Sequence, residues 1–336
     1  MTRIADAWGT VLPGALRATS RRIGGQLLWL VLVLCLVARG SEAQGPFAAQ
    51  TVSQASPPGA AITPIPAPPA ADPRRLAIGE ALFGDDRLSH NGAISCASCH
   101  DLHTNGAADQ RTLARLGAKS RFTVLTVFNA ALDFRLNWEG NYRTLEAQAA
   151  SSLENPANMA SGAAEASRRL RADPVMVERF RAAYGHPPDG ASLLDALATF
   201  ERSLLTPDSR FDAFLRGDDT ALTQQERHGY ELFQSLGCIS CHQGVNIGGN
   251  LYERHGIFHP LASPQPEILR VPSLRNVALL APYFHDGSAP TLDDAVRKMA
   301  RAQLDQTLPS DDVASIVAFL KTLTGKFRGV PLTVPP

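Results

Sequence analysis

Two short stretches constrain this chain more than anything else in it: Cys96-Ala97-Ser98-Cys99-His100 and Cys238-Ile239-Ser240-Cys241-His242. In each, two thiols three residues apart can add to the two vinyl groups of one porphyrin. The histidine that follows is then held beneath the iron as an axial ligand. A zinc ribbon would need its cysteine pairs much closer together, and a thioredoxin-like redox pair gives no reason for histidine at both following positions. The two units therefore predict two covalently bound haem c groups, each supplying core to one half of the chain and a surface on which long loops pack. The fifth cysteine, Cys35, sits in an N-terminal apolar run, so no disulfide framework is expected.

A chain of 336 residues, 44% apolar, suits two domains of ordinary size after a leader is removed. Lys plus Arg and Asp plus Glu balance at 32 each, so nothing in the charge calls for nucleic acid as a partner. Arg17, Arg21 and Arg22 precede the apolar stretch Leu27 to Ala38, and small and polar residues follow at Ser41-Glu42-Ala43. This reads as a signal peptide over residues 1–43 that directs the chain to the periplasm. The apolar run is shorter than the roughly 20 residues a bilayer requires, so no stable membrane span is expected after its removal. Residues 44–72, with Pro57-Pro58 and Pro64-Ile65-Pro66-Ala67-Pro68-Pro69, are predicted to form an extended linker without a core. Order is expected to begin near Asp72-Pro73, where Asp72 caps a helix running to Phe83.

A weak internal repeat sets Ile78-Gly79-Glu80-Ala81-Leu82-Phe83 against His228-Gly229-Tyr230-Glu231-Leu232-Phe233, each ahead of its Cys-x-Ser-Cys-His unit. Thr223 and Glu226 make a capping box that starts the second copy's helix. The expected division is an N-terminal domain over residues 73–216, a C-terminal domain over residues 217–327, and a tail over residues 328–336. Helical spacing of apolar residues recurs at Ser192 to Leu205 and Ser310 to Leu323, and no alternation long enough for a substantial sheet is present. The fold class is all-α: two cytochrome c-like helical domains with long haem-covering loops. Beyond His242 the chain has one methionine, Met299, on a helix begun by Thr291 and sharing a face with Leu292, Val296 and Ala300. Its thioether is either a second axial ligand opposite His242 or core packing, and His255, His259 and His285 compete for the ligand role.

From about Leu76 to Gly325 the chain resembles the bacterial dihaem cytochrome c peroxidases, a superfamily that includes the dihaem enzymes that mature methylamine dehydrogenase. The resemblance rests on Gly79-Glu80-Ala81-Leu82-Phe83 with Arg87-Leu88-Ser89, Phe128-Asn129-Ala130-Ala131, Trp138-Glu139-Gly140 and Asn155-Pro156. It continues in Val271-Pro272-Ser273-Leu274-Arg275-Asn276, in Pro282-Tyr283-Phe284-His285-Asp286-Gly287, and in the Met299 helix. It implies that His100 is the proximal ligand of a peroxide-reactive haem, and that His242 and Met299 ligate an electron-entry haem. Trp138 matches the tryptophan between the haems. Arg275 and His285 match positions near the second haem, and structural roles suit them equally. The implied activity is reduction of hydrogen peroxide to water with electrons from a small periplasmic donor, a cytochrome c or cupredoxin. Calcium between the domains is common among such relatives, with no ligands assigned here; a homodimer is an expected assembly.

Two departures from the family pattern bear on function. Asn158 stands where the family's peroxidases carry a catalytic glutamate, and an amide cannot relay protons as a carboxylate does. No histidine lies between His103 and His186, where many relatives hold a removable distal ligand. A non-catalytic electron carrier or redox sensor is therefore one alternative. A protein-modifying oxidase is another, against which the maturation branch's tyrosine at the place of Met299 weighs.

Overall fold

The structure, a computed structural model, describes residues 60–117 and 120–334. The leader expected over residues 1–43, Cys35 included, and residues 44–59 of the expected linker lie outside the described residues.

The first half is built from α1 (Pro73–Phe83), α2 (Gln110–Arg115), α3 (Leu145–Glu154), α4 (Ala163–Leu170), α5 (Pro174–Tyr184), α6 (Gly190–Arg202) and α7 (Arg210–Leu215). Helix α1 starts as its sequence requires. The Asp72 carboxylate accepts the Arg74 N–H, and Pro73 fills a first-turn position whose N–H would have no partner anyway. The second half contributes α8 (Gln224–Ser235), the antiparallel ribbon β1 (Tyr252–Arg254) with β2 (Ile268–Arg270), then α9 (Leu292–Leu304) and α10 (Ser310–Lys321). Thr223 and Glu226 close the expected capping box on α8, and Thr291 caps α9 by accepting the Asp294 N–H. A second small ribbon, β3 (Lys326–Phe327) with β4 (Val330–Pro331), follows α10. The all-α expectation holds, since these two short ribbons are the only sheets among the described residues.

The internal repeat marks a helix crossing that both halves share. Gly79 faces the Ala196 carbonyl on α6, and Gly229 faces the Ser315 carbonyl on α10; a Cβ at either position would collide with backbone. Each glycine thus lets two helices meet at backbone distance, at a propensity cost of about 1 kcal/mol relative to alanine that closer packing offsets. Around the first crossing lie Ile78, Leu82, Leu170, Phe180, Leu193 and Leu197, all buried. Around the second lie Phe211, Phe233, Val313, Ile316, Phe319 and Leu320. There the Phe319 ring meets those of Phe211 and Tyr230 with centroids 5.0 and 5.1 Å away.

Two expectations about the chain's flanks are corrected. The Pro-rich segment does bury apolar surface: Ile62 and Ile65 are 3% and 2% exposed, and Ile62 belongs to the second half's core. In an extended Pro-rich chain with three residues per turn, residues three apart share a side, which turns both isoleucines inward together. Their burial stabilises the packed state by about 1.5–3 kcal/mol each. The segment is also held by polar contacts, the Gly244 N–H to the Ala61 carbonyl at 2.7 Å and the Ile65 N–H to Asp212 at 3.1 Å. The residues after 327, expected to be a tail, include β4 and the buried Leu332, which packs with Phe83 and Phe128 of the first half. Each flank therefore crosses to the opposite half.

Candidate haem-binding cavity

The two Cys-x-x-Cys-His units fold alike. Each starts with a single 3₁₀ turn, Cys96–Ser98 and Cys238–Ser240. In each the histidine N–H returns to the first cysteine's carbonyl, His100 to Cys96 at 2.9 Å and His242 to Cys238 at 3.0 Å.

The second ring contact sets the tautomer. His100 Nδ1 lies 2.8 Å from the Gly106 carbonyl and His242 Nδ1 lies 3.3 Å from the Ile247 carbonyl. With Nδ1–H donating, Nε2 keeps its lone pair for a metal. Holding these carbonyls in place takes unusual backbone. Gly106 has φ of 65° with the Phe128 ring closing the space a side chain would occupy, and Ile247, wholly buried, sits at φ of 50°, a strained value for a β-branched residue. Burial pushes His242 down to about 4 and His100 below its usual range, so both rings are neutral, as ligation requires. Burial likewise drives the Cys96 thiol up to about 12 and Cys238 up to about 11. A working redox dithiol needs its thiolate stabilised, and these sites do the reverse. All four cysteines are unpaired by disulfides.

Both units open on one cavity of about 1310 Å³. That exceeds the roughly 300–1,000 Å³ of an ordinary small-ligand pocket. Cys99 contributes from the first unit, and Cys238, Cys241 and His242 from the second. From α9, Leu292, Val296 and Met299 form part of the wall, the face expected for that helix. The Trp138 ring is in the wall too, its Nε1–H donating to the Thr123 carbonyl at 2.9 Å and its face 6.2 Å from His285. Cys96 and His100 lie behind the wall, next to Cys99 in the same turn. A large, mostly apolar space bordered by three thiols, a neutral imidazole with a free Nε2 and a thioether is the kind of donor set that covalent haem demands, so the residues fit that group.

Several expected site residues are separated. His259 pairs with Asp305 at 2.7 Å, and it is His255 and His285 that line the cavity. Asn158 lies in the turn after α3, exposed, its N–H donating to the Asn155 carbonyl at 2.9 Å; it is not part of the cavity wall. Glu154 is exposed at the end of α3. Arg275 is buried in the second half with Asp212 at 2.9 Å, and it donates to the Val245 and Thr63 carbonyls, both at 2.9 Å. It thereby ties the loop after His242 to the Pro-rich segment.

Sequence reading missed the Asp133–Arg270 pair, 2.8 Å apart with both side chains nearly buried in the cavity wall. Asp133 also accepts from Asn246 at 2.6 Å, and Arg270 donates to the Asn137 carbonyl at 3.1 Å. The pair thus joins the Trp138 loop to the loop beyond His242. The partners are far apart in sequence, and no local pattern announces such a pair. Among the described residues no three His, Cys, Asp or Glu side chains converge as a metal site, and no helix is long and apolar enough to cross a membrane.

Comparison with known proteins agrees with this geometry. The family model for di-haem cytochrome c peroxidase matches residues 73–220, and that for cytochrome c matches residues 227–324. Cytochrome c551 peroxidase of Nitrosomonas europaea is 38% identical over 291 residues, covering 82% of this chain and 87% of that protein. Cytochrome c peroxidase of Escherichia coli K12 is 40% identical over 285 residues, 79% of this chain; the match spans only 61% of that longer relative. Among solved structures, a MauG-like protein associated with microbial copper homeostasis superposes with a TM-score of 0.62 at 28% identity, over 78% of this chain and 94% of its own. The chain belongs to the di-haem cytochrome c peroxidase family, whose prosthetic group is covalently bound haem c.

Proposed function

We propose that this protein reduces hydrogen peroxide to water in the periplasm, drawing two electrons and two protons per peroxide, with a small cytochrome c or cupredoxin as donor. The observation that carries the reading is one cavity bordered by Cys99 of the first Cys-x-x-Cys-His unit, by Cys238, Cys241 and His242 of the second, by Met299 and by Trp138. A haem bound there supplies an iron that changes oxidation state by one electron. Cys96 and Cys99 would hold the first group with His100 as its ligand; Cys238 and Cys241 would hold the second, with His242 and Met299. The first half is the peroxide side, the second half the side at which donor electrons enter, and Trp138 stands between them.

The chain's own residues set the conditions for this chemistry. The Gly106 and Ile247 carbonyls orient the two imidazoles, and the Thr123 carbonyl fixes the Trp138 indole. Apolar residues of α9 and α10 keep water from the second site, which favours the reduced, less charged state. A homodimer and an interdomain calcium ion belong to the same proposal, and the leader-like residues 1–43 support export.

The exposed position of Asn158 favours one competing reading, a dihaem carrier without peroxide turnover. Pyridine haemochrome analysis of the exported protein should count two haems per chain, and stopped-flow mixing of the reduced protein with peroxide should oxidise it and sustain turnover with a reduced cytochrome or cupredoxin. Two haems with spectra inert to peroxide would establish the carrier instead.

A further inference from the structure

Among the described residues, four buried side-chain nitrogens lack a hydrogen-bond partner: Nε of Arg75 and Arg135, Nδ1 of His255 and Nε2 of His285. The two arginine nitrogens lie away from the haem cavity, and both histidines line it. The histidine rings are 5.0 Å apart, and His285, 3% exposed, stands edge-on to Trp138 at 6.2 Å and Phe122 at 5.8 Å. His255 has its other nitrogen committed, Nε2 lying 2.7 Å from the Pro266 carbonyl. Other polar groups of this wall are engaged already: Trp138 with Thr123, and Arg270 with Asp133 and Asn137. Arg111 and Arg115 reach the cavity from α2, where both are exposed to water.

A haem carries two carboxylates, and a carboxylate placed in a buried apolar space is costly unless it meets a donor. The paired free nitrogens are the buried groups of this wall with capacity left to meet one. Building on the haem assignment above, we propose that His255 and His285 together receive an acidic side chain of a bound haem and share one proton with it. A neutral ring whose other N–H is committed offers only a lone pair, so holding a carboxylate draws one proton into the pair. The proton comes from solvent and stays between imidazole and carboxylate, with no bond to carbon made or broken. Around the pair, burial opposes the proton most and holds His285 below its usual range; Asp286 favours the proton, while His255 and Arg121, the latter paired with Glu139 at 2.7 Å, oppose it, so the negative charge of a bound carboxylate is what would draw the proton in. On His255's own ribbon Arg254 and Glu267 pair with each other, and Glu253 faces Cys241.

The coupling has a sign. Reduction adds negative charge to the haem and tightens the pair's hold on its proton, so the midpoint potential of one haem falls as pH rises across roughly pH 5–8, where imidazole titrates. Spectroelectrochemical titration of the haem-loaded protein against pH, with resonance Raman of the propionate bending modes, tests this. The wild type should take up one proton per electron at one haem. His255→Phe and His285→Phe should lose that slope and shift the bending band, while His255→Gln, which keeps a donor, should lose the slope and keep the band. Two loaded haems with a slope unchanged in His255→Gln and in either Phe variant would overturn the proposal and leave the peroxidase reading intact. Fewer than two haems in the wild type would overturn the assignment beneath both.

Discussion

The two Cys-x-x-Cys-His units are nearly the same object set in different surroundings. Each has the same turn, the same return hydrogen bond and the same neutral imidazole held through Nδ1. The second lies over a core that Phe211, Phe319 and the Met299 face of α9 supply, tied down by the buried Arg275–Asp212 pair. In the first half Met159 and Met176 lie in the helical core and neither lines the cavity, and Asn158, expected from the resemblance at a catalytic position, is exposed. After burial, the charge that most raises the Cys96 thiol is that of Glu201, whereas for Cys238 it is that of its own partner Cys241. A shared attachment turn therefore says little about what each site does. The opposite wall and the nearby charges are what would separate the proposed electron-entry site from the proposed reactive one.

The largest expected effect tests whether the second half depends on its ion pair. Arg275→Ala leaves Asp212 buried without its partner and should cost about 3–5 kcal/mol. Thermal melts and haem counts should show the loss falling on the second site first; equal loss at both sites would mean that the halves unfold as one. Next, Asn158→Glu restores a carboxylate on the first side and should raise peroxide turnover by about 10²-fold, the low end for a placed acid–base group because the turn is exposed. Unchanged steady-state rates would move proton delivery elsewhere on the first half.

Met299→Ala should lower the potential of the second haem and leave the first unaltered, read by separate redox titrations of the two absorption bands. A shift at the first haem would reverse the assignment of the halves. The smallest effect concerns Glu201, whose carboxyl is pushed up to about 8 by burial and then by Glu146, against the pull of Arg202. The folded chain then binds a proton that the unfolded chain has released, so this contribution is present below the unfolded carboxyl value and is lost as pH rises through about 8. Glu201→Gln should flatten the decline in melting temperature over that window, and an identical decline in wild type and variant would show that the carboxyl is not strained there.

Much of the local structure was legible in the residues. Asp72-Pro73, the Thr223 and Glu226 box and Thr291 each start a helix where expected, because a cap depends on residues within one turn. The repeat pointed to two like halves, and Gly79 and Gly229 have a shared purpose in the two helix crossings. The flanks were misread for an identifiable reason. Proline-rich composition signals an extended backbone, which is correct for residues 60–72, but extension does not prevent Ile62 and Ile65 from sharing a buried side. The resemblance led to the expectation of Asn158 at a catalytic position, and nothing in its neighbours revealed that the turn would face water.

The sequence alone determined the attachment turns, the helix starts and the all-α character, since each follows from contacts a few residues long. The tertiary structure alone decided that both turns border one cavity, that Trp138, His285 and His255 meet in its wall, and that Asp133 finds Arg270 across the two halves. Those meetings depend on how separate helices pack, and packing is governed by shape and burial summed over the whole chain.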